Sequence, residues 1–143
     1  MVDRIELTLR NDHGELARLA EALEHFLEGH EVGPDVAFKV NLALDELVTN
    51  VINYGYDDED EHAIRLLVSW DGETLRFVLE DDGKPFNPLD IPPPDLDTPI
   101  EDRQVGGLGI HFVRQVMDSV TYRRDGARNV LTMARRLDQA PAA

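Results

Sequence analysis

A chain of 143 residues has the length of one ordinary domain, and 42% hydrophobic with 30% charged residues is the composition of a folded globular protein. The lack of cysteine excludes disulfides, thiolate metal sites and a cysteine nucleophile. A formal net charge of -15 excludes the positive surface that binds duplex nucleic acid or an anionic membrane, and leaves either plain solubility or a protein partner with a basic face.

Residues 3 to 9 alternate Ile5, Leu7 and Leu9 against Glu6 and Thr8, the period of a half-buried strand. Asp12 and Glu15 have the offset of a capping box, and Leu16, Leu19, Ala20, Leu23, Phe26 and Leu27 continue a helical stripe to about Gly29. A second helix is predicted from Pro34, a good first-turn residue, to about Tyr54, with Gly55 as its stop. The acidic run at 57 to 61 reads as a solvated loop. Ile64, Leu66, Val68 and Trp70, then Leu75, Phe77 and Leu79, predict two strands joined by a hairpin at Asp71-Gly72. Residues 84 to 105 are proline-rich and loop-like. A helix follows Gly106-Gly107-Leu108-Gly109 and ends near Asp118, and a last hairpin (119 to 124 and 129 to 137) turns at Asp125-Gly126. The order β-α-α-β-β-loop-α-β-β predicts an α+β fold: a two-layer sandwich with helices on one face of a largely antiparallel sheet. One domain over 1 to 137 and a frayed tail over 138 to 143 are expected. No apolar run approaches the ~20 residues of a membrane span and the first residues lack an apolar leader, so a cytosolic location is expected.

Three constellations could carry chemistry. Glu46, Asn50 and Asn53 fall at i, i+4 and i+7 on the second helix and share one face among Leu47, Val48, Val51 and Ile52. That stripe is either the solvent side of an amphipathic helix or a functional one. In the second case the Asn50 amide suits magnesium, and Glu46 can orient or deprotonate an attacking hydroxyl. Asp81 has the parity of Leu75, Phe77 and Leu79, so an unbroken strand aims its carboxylate into the core, where a donor such as an adenine amino group is needed. Gly83 would allow a base to approach the backbone closely. The competing reading ends the strand at Glu80 and makes Asp81-Asp82-Gly83 an ordinary turn. Gly106, Gly107, Leu108, Gly109 and Ile110 open a helix, where free N–H groups and the helix dipole can hold phosphate, although this is neither a Walker A loop nor a dinucleotide fingerprint. The five histidines show no metal-ligand spacing and read as surface or packing residues.

In this order the segments ELVTNVINY (46 to 54), DDGKPF (81 to 86) and GGLGIHFV (106 to 113) resemble the N, G1 and G2 boxes of the GHKL, or histidine-kinase-like, ATPase superfamily. EDDGKPFNP, GGLGIHFVRQVMDSVTY and GARNVLTMARRL resemble its anti-sigma-factor serine/threonine kinase branch from bacterial partner switching, and the likeness runs from the first strand to residue 137. The resemblance implies a Bergerat-type ATP-binding fold with a mixed sheet, ATP and Mg2+ as cofactors, and Glu46 as catalytic base. It also implies Asn50 as the metal ligand with Asn53 beside it, and Asp81, Gly83, Pro85 and Phe86 around the adenine. The backbone from Gly106 through Gly107, Leu108, Gly109 and Ile110 would hold the phosphates. A lid would span about 87 to 105, with Arg103 reaching the γ-phosphate. The implied partners are an anti-sigma-factor antagonist carrying the substrate serine, a sigma factor, and a second copy in a homodimer. A threonine that supports the adenine-binding Asp in the family has no clear counterpart, and Asn129 and Thr132 both remain open for that role. The alternatives are a non-catalytic regulator that sequesters a partner when ATP is bound, and a sensor histidine kinase's catalytic domain, which would need a phosphoacceptor hairpin for which the chain has no room.

Overall fold

Alternation of apolar and polar residues builds the sheet, and the computed structural model, which describes residues 3 to 90 and 107 to 137, follows it strand by strand. The strands are β1 (Asp3–Arg10), β2 (Ala63–Trp70), β3 (Thr74–Asp81), β4 (Ser119–Asp125) and β5 (Arg128–Arg136). They lie in the order β1-β2-β3-β5-β4, and all four pairings are antiparallel. The mixed character expected from the resemblance is therefore not seen among the described strands. Asp71 anchors the β2–β3 hairpin by accepting the N–H groups of Glu73 and Thr74 at 2.9 and 2.7 Å. Gly72 and Gly126 take φ of 95° and 59°, which non-glycine residues adopt at a cost, so both hairpins turn where predicted.

Three helices cover one face: α1 (Glu15–Gly29), α2 (Pro34–Tyr54) and α3 (Gly107–Val116), and a short 3-10 turn spans Pro88–Asp90. The inward residues of β2 and β3 (Ile64, Leu66, Val68, Leu75, Phe77) are fully buried against Leu19, Leu23, Val40, Leu44 and Val48 of the helices. Each such side chain stabilises the fold by about 1.5–3 kcal/mol relative to exposure.

One local expectation is corrected. The capping box does not form, because α1 begins at Glu15 itself: Asp12 accepts the N–H of Gly14 at 2.9 Å, and the Glu15 carboxylate turns back to the N–H of Arg10 at 3.1 Å. Arg18 adds a 3.0 Å contact, and these donors hold the Glu15 carboxyl below its ordinary range. The acidic run at 57 to 61 is an exposed loop, as expected, and Asp58 within it also has a partner. His62 sits between Asp58 (2.7 Å) and Asp82 (3.2 Å) and stacks on Tyr56 at 4.1 Å, and the two carboxylates, Asp58 first, raise its pKa.

Candidate functional site

Strand β3 continues through Asp81, which by parity sits at 5% exposure on the buried face with Leu75, Phe77 and Leu79. A carboxylate in that position is costly unless donors meet it. Two do, both on Oδ1: the N–H of Gly83 at 2.9 Å and Nδ2 of Asn129 at 2.9 Å. Among the described residues no donor reaches Oδ2. Burial raises the Asp81 pKa, while Asn129 and Gly83 oppose the rise. The result is a carboxylate with one oxygen held in place and one open to an incoming N–H group.

Asn129 is the residue that holds it. Strand register sets Asn129 directly beside Asp81. Its Nδ2 donates to Asp81 and to the Lys84 carbonyl (2.8 Å), while its Oδ1 accepts the Tyr122 hydroxyl (2.5 Å) and the Phe86 N–H (3.3 Å). One amide thus joins β3, β4, β5 and the segment after Gly83, and Arg124 adds a 2.8 Å bond to the Gly83 carbonyl. Thr132, the other candidate, is exposed and pairs with Val78 on the opposite face, so it has no part in this network. Tyr122 carried no sequence signal of its own; only the β4–β5 register brings it to the site.

Helix α2 supplies the facing wall. Asn50 is 8% exposed, and its Nδ2 is buried with no hydrogen-bond partner among the described residues. Leu47, Val51 and Tyr54 flank it, and together with Leu79, Asp81, Tyr122, Asn129 and Leu131 they enclose a narrow apolar slot of about 40 Å³ that Phe86 and the buried Pro88 also line. Glu46 lies one turn before Asn50 and does not line the slot; burial first, then the neighbouring Asp45, raise its pKa. Asn53 is exposed, with Oδ1 2.7 Å from Nε2 of His13, and stays outside the slot.

Gly83 is buried behind Asp81, at a close approach of two chain segments. A Cβ there would lie 2.6 Å from the Gly55 carbonyl oxygen and 2.9 Å from Asp81 Oδ1, and the adjacent Lys84 N–H already bonds to that Gly55 carbonyl at 2.8 Å. Gly83→Ala is therefore expected to push the 83 to 86 segment off the end of α2, lowering Tm by several degrees and loosening the slot. Thermal unfolding with and without nucleotide would check this, and an unchanged Tm would show that the contact gives way freely.

The remaining predicted residues divide. Phe86 lines the slot, whereas Pro85 is exposed beside it. Gly107, Leu108 and Gly109 form the first turn of α3, so the helix starts within the glycine segment and not after it. Ile110 is 2% exposed and belongs to the hydrophobic core. Arg103, Gly106 and most of the expected lid lie outside the described residues, as does the expected tail.

The donor set fits a purine nucleotide. An open acceptor on Asp81 suits an exocyclic amine, apolar Leu47, Val51, Leu79 and Leu131 suit the ring faces, and the unpartnered Asn50 Nδ2 suits a phosphate oxygen, whereas a cation would take the Oδ1 of the same amide. No group of three His, Asp or Glu residues among the described residues could hold a metal by itself. A cation beside Asn50 would have to take most of its ligands from phosphate and water, which is the habit of magnesium.

Residues 9–135 match the family described as histidine kinase-like ATPase domain. The chain is similar to the serine/threonine-protein kinase BtrW of Bordetella bronchiseptica, at 25% identity over 78% of both proteins. It is also similar to the serine-protein kinase RsbW of Bacillus mycoides, at 26% identity over 64% of this chain and 59% of RsbW. Among solved structures, that of the RsbU and RsbW domains of Rv1364c from Mycobacterium tuberculosis superposes with a TM-score of 0.68 at 15% identity, over 96% of this chain and 33% of the other. The histidine kinase domain of Erythrobacter litoralis EL346 superposes with a TM-score of 0.52 at 20% identity, over 85% of this chain and 59% of the other. The fold is thus shared with proteins of which this chain spans a third to some three fifths, and no helix among the described residues is long and apolar enough to cross a membrane. With 127 of its 143 residues inside the matching region (9 through 135), the chain belongs to the histidine kinase-like ATPase domain family.

Proposed function

We propose that this protein is a cytoplasmic, ATP-dependent serine/threonine protein kinase and anti-sigma factor that phosphorylates an anti-sigma-factor antagonist. The observation that carries the reading is the pairing, in one slot, of an inward Asp81 with an open oxygen and a buried, unpartnered Asn50 amide one turn from Glu46. Bound Mg-ATP would supply the phosphoryl group.

The chain's own residues do the rest by positioning and charge. Asp81 accepts the adenine amine while Gly83 and Asn129 keep its other oxygen from turning. Leu47, Val51 and Leu131 exclude water from the base. Asn50 presents its amide to the phosphate side of the slot, with Asn53 further along the same helix and the first turn of α3 adding backbone N–H groups. Glu46 takes the proton of the partner's serine hydroxyl, and its raised pKa makes it a better acceptor than an ordinary carboxylate. The slot is far smaller than the several hundred Å³ of a typical ligand pocket, so Phe86 and Pro88 move outward when nucleotide enters. Residues 87 to 105 then act as the lid, with Arg103 directed at the γ-phosphate. The sigma factor and a second copy of the chain complete the proposed assembly.

Glu46 stands outside the slot's wall, and that favours one second reading: a regulator that sequesters its partner when ATP is bound and transfers nothing. Incubation with γ-labelled ATP and the antagonist separates the two. Label on a serine of the antagonist is expected; ATP binding with no transfer to the true partner would establish the sequestering role instead.

A further inference from the structure

The first half of α2 presents apolar surface that the core does not use. Phe38 is 68% exposed and Leu42 45%, the first being the most exposed large hydrophobic residue among those described. They are one helical turn apart, so their side chains stand on the same face. Together with the end of α1 they border a groove of about 680 Å³. Its charged wall is of one sign: Glu24 and Glu28, a turn apart on α1, and Asp45 on α2, with no lysine or arginine among the described lining residues. The nearby Lys39 is occupied by Asp35 at 3.6 Å.

Two apolar anchors between carboxylates select an occupant of complementary make-up. We propose that the α1–α2 groove docks a basic, amphipathic segment of a partner protein, with its apolar side chains on Phe38 and Leu42 and its lysines or arginines facing Glu24, Glu28 and Asp45. Nucleic acid and anionic lipid lack the required sign. A second copy placed by two-fold symmetry would bring the same carboxylates against themselves. The net charge of -15 would draw a basic partner in from a distance, a steering effect that salt weakens.

The groove's position gives docking a use. Asp45 is the sequence neighbour of Glu46, and Leu42 precedes Glu46 by one turn, so the groove comes within about one helical turn of that carboxylate. Delivery of a hydroxyl to Glu46 rests on the kinase reading, whereas docking itself does not. Burial is the larger cause of the raised Glu46 pKa, and a cation over Asp45 would offset part of the smaller contribution from Asp45.

The test is a titration, without nucleotide, of the whole protein against a fluorescently labelled helical peptide of leucines and lysines, with its leucine–glutamate counterpart as control. Binding of the basic peptide only is expected, with backbone amide shifts gathered over residues 24 to 45. Glu24→Lys with Glu28→Lys, and separately Phe38→Ser, should each weaken it by about tenfold or more. Circular dichroism should be unchanged and the variants' ATP affinity preserved, so a failed nucleotide site would be read independently. Binding that ignores these substitutions, shifts centred elsewhere, equal binding of the acidic peptide, or no binding would each overturn the proposal. Conversion of a dimer to a monomer by Phe38→Ser would overturn it as well, by giving the groove to a second copy.

Discussion

Asp81→Asn is expected to leave the protein folded and to weaken ATP binding by about 10²- to 10³-fold. In the free protein the new side chain keeps its oxygen toward the Gly83 N–H and Asn129 Nδ2, the two donors that now hold Oδ1. Its amide nitrogen then faces the slot and meets the adenine amine donor to donor. Flipping it only moves the conflict to Gly83 and Asn129. Each buried donor left unpaired costs about 1–3 kcal/mol, and two such losses produce the stated range. Calorimetric titration with ATP checks the effect, and wild-type affinity in the variant would remove adenine from this slot.

The stability of that variant has a definite sign. Burial raises the Asp81 pKa, so the native state holds this proton more tightly than the unfolded chain does. Stability from this group is therefore fully present below the ordinary carboxylate value and falls as pH rises through the raised one. Removing the charge should leave Tm at neutral pH unchanged or slightly higher while binding is lost. The same open acceptor predicts discrimination against GTP, whose guanine presents an oxygen at that point. Rejection of up to ~10⁴-fold is within reach of a buried hydrogen-bonding site.

Glu46→Gln is expected to reduce phosphoryl transfer by about 10²- to 10⁴-fold, the usual contribution of a positioned general base, with ATP affinity little changed. Glu46 does not line the slot, and its loss should therefore appear in the transfer step and not in nucleotide binding. Desolvation and Asp45 raise its pKa, so the transfer rate of the wild-type protein should climb with pH through a value above the ordinary carboxylate range. The variant should lack that limb. Single-turnover transfer measured across pH tests both points, and a variant with wild-type rates would show that Glu46 handles no proton.

Both substitutions act on residues that periodicity alone had singled out. The count of two along β3 put Asp81 on the buried side with Leu75, Phe77 and Leu79, and the count of 3.6 along α2 put Glu46 and Asn50 on one face. These are properties of a single element, and any chain with that local pattern must express them. The element order was legible for the same reason, while the hairpin turns were legible from their Asp-Gly pairs and the extent of α2 from Pro34 and Gly55.

What spacing could not supply were relations between elements distant in sequence. The choice of Asn129 over Thr132 depended on the β3–β5 register, since a one-residue slip would have exchanged their faces. Tyr122 reaches the site only through the β4–β5 pairing. The packing of Gly83 on the Gly55 carbonyl joins two loops that no local pattern connects. The failed capping box has a more local origin: the bend between β1 and α1 turns the Glu15 carboxylate back to the N–H of Arg10, only five residues earlier. Local periodicity decides which way a side chain faces, because backbone geometry repeats every two or 3.6 residues. Which group it then meets is decided by packing, because buried polar atoms must find partners from wherever the tertiary structure brings them.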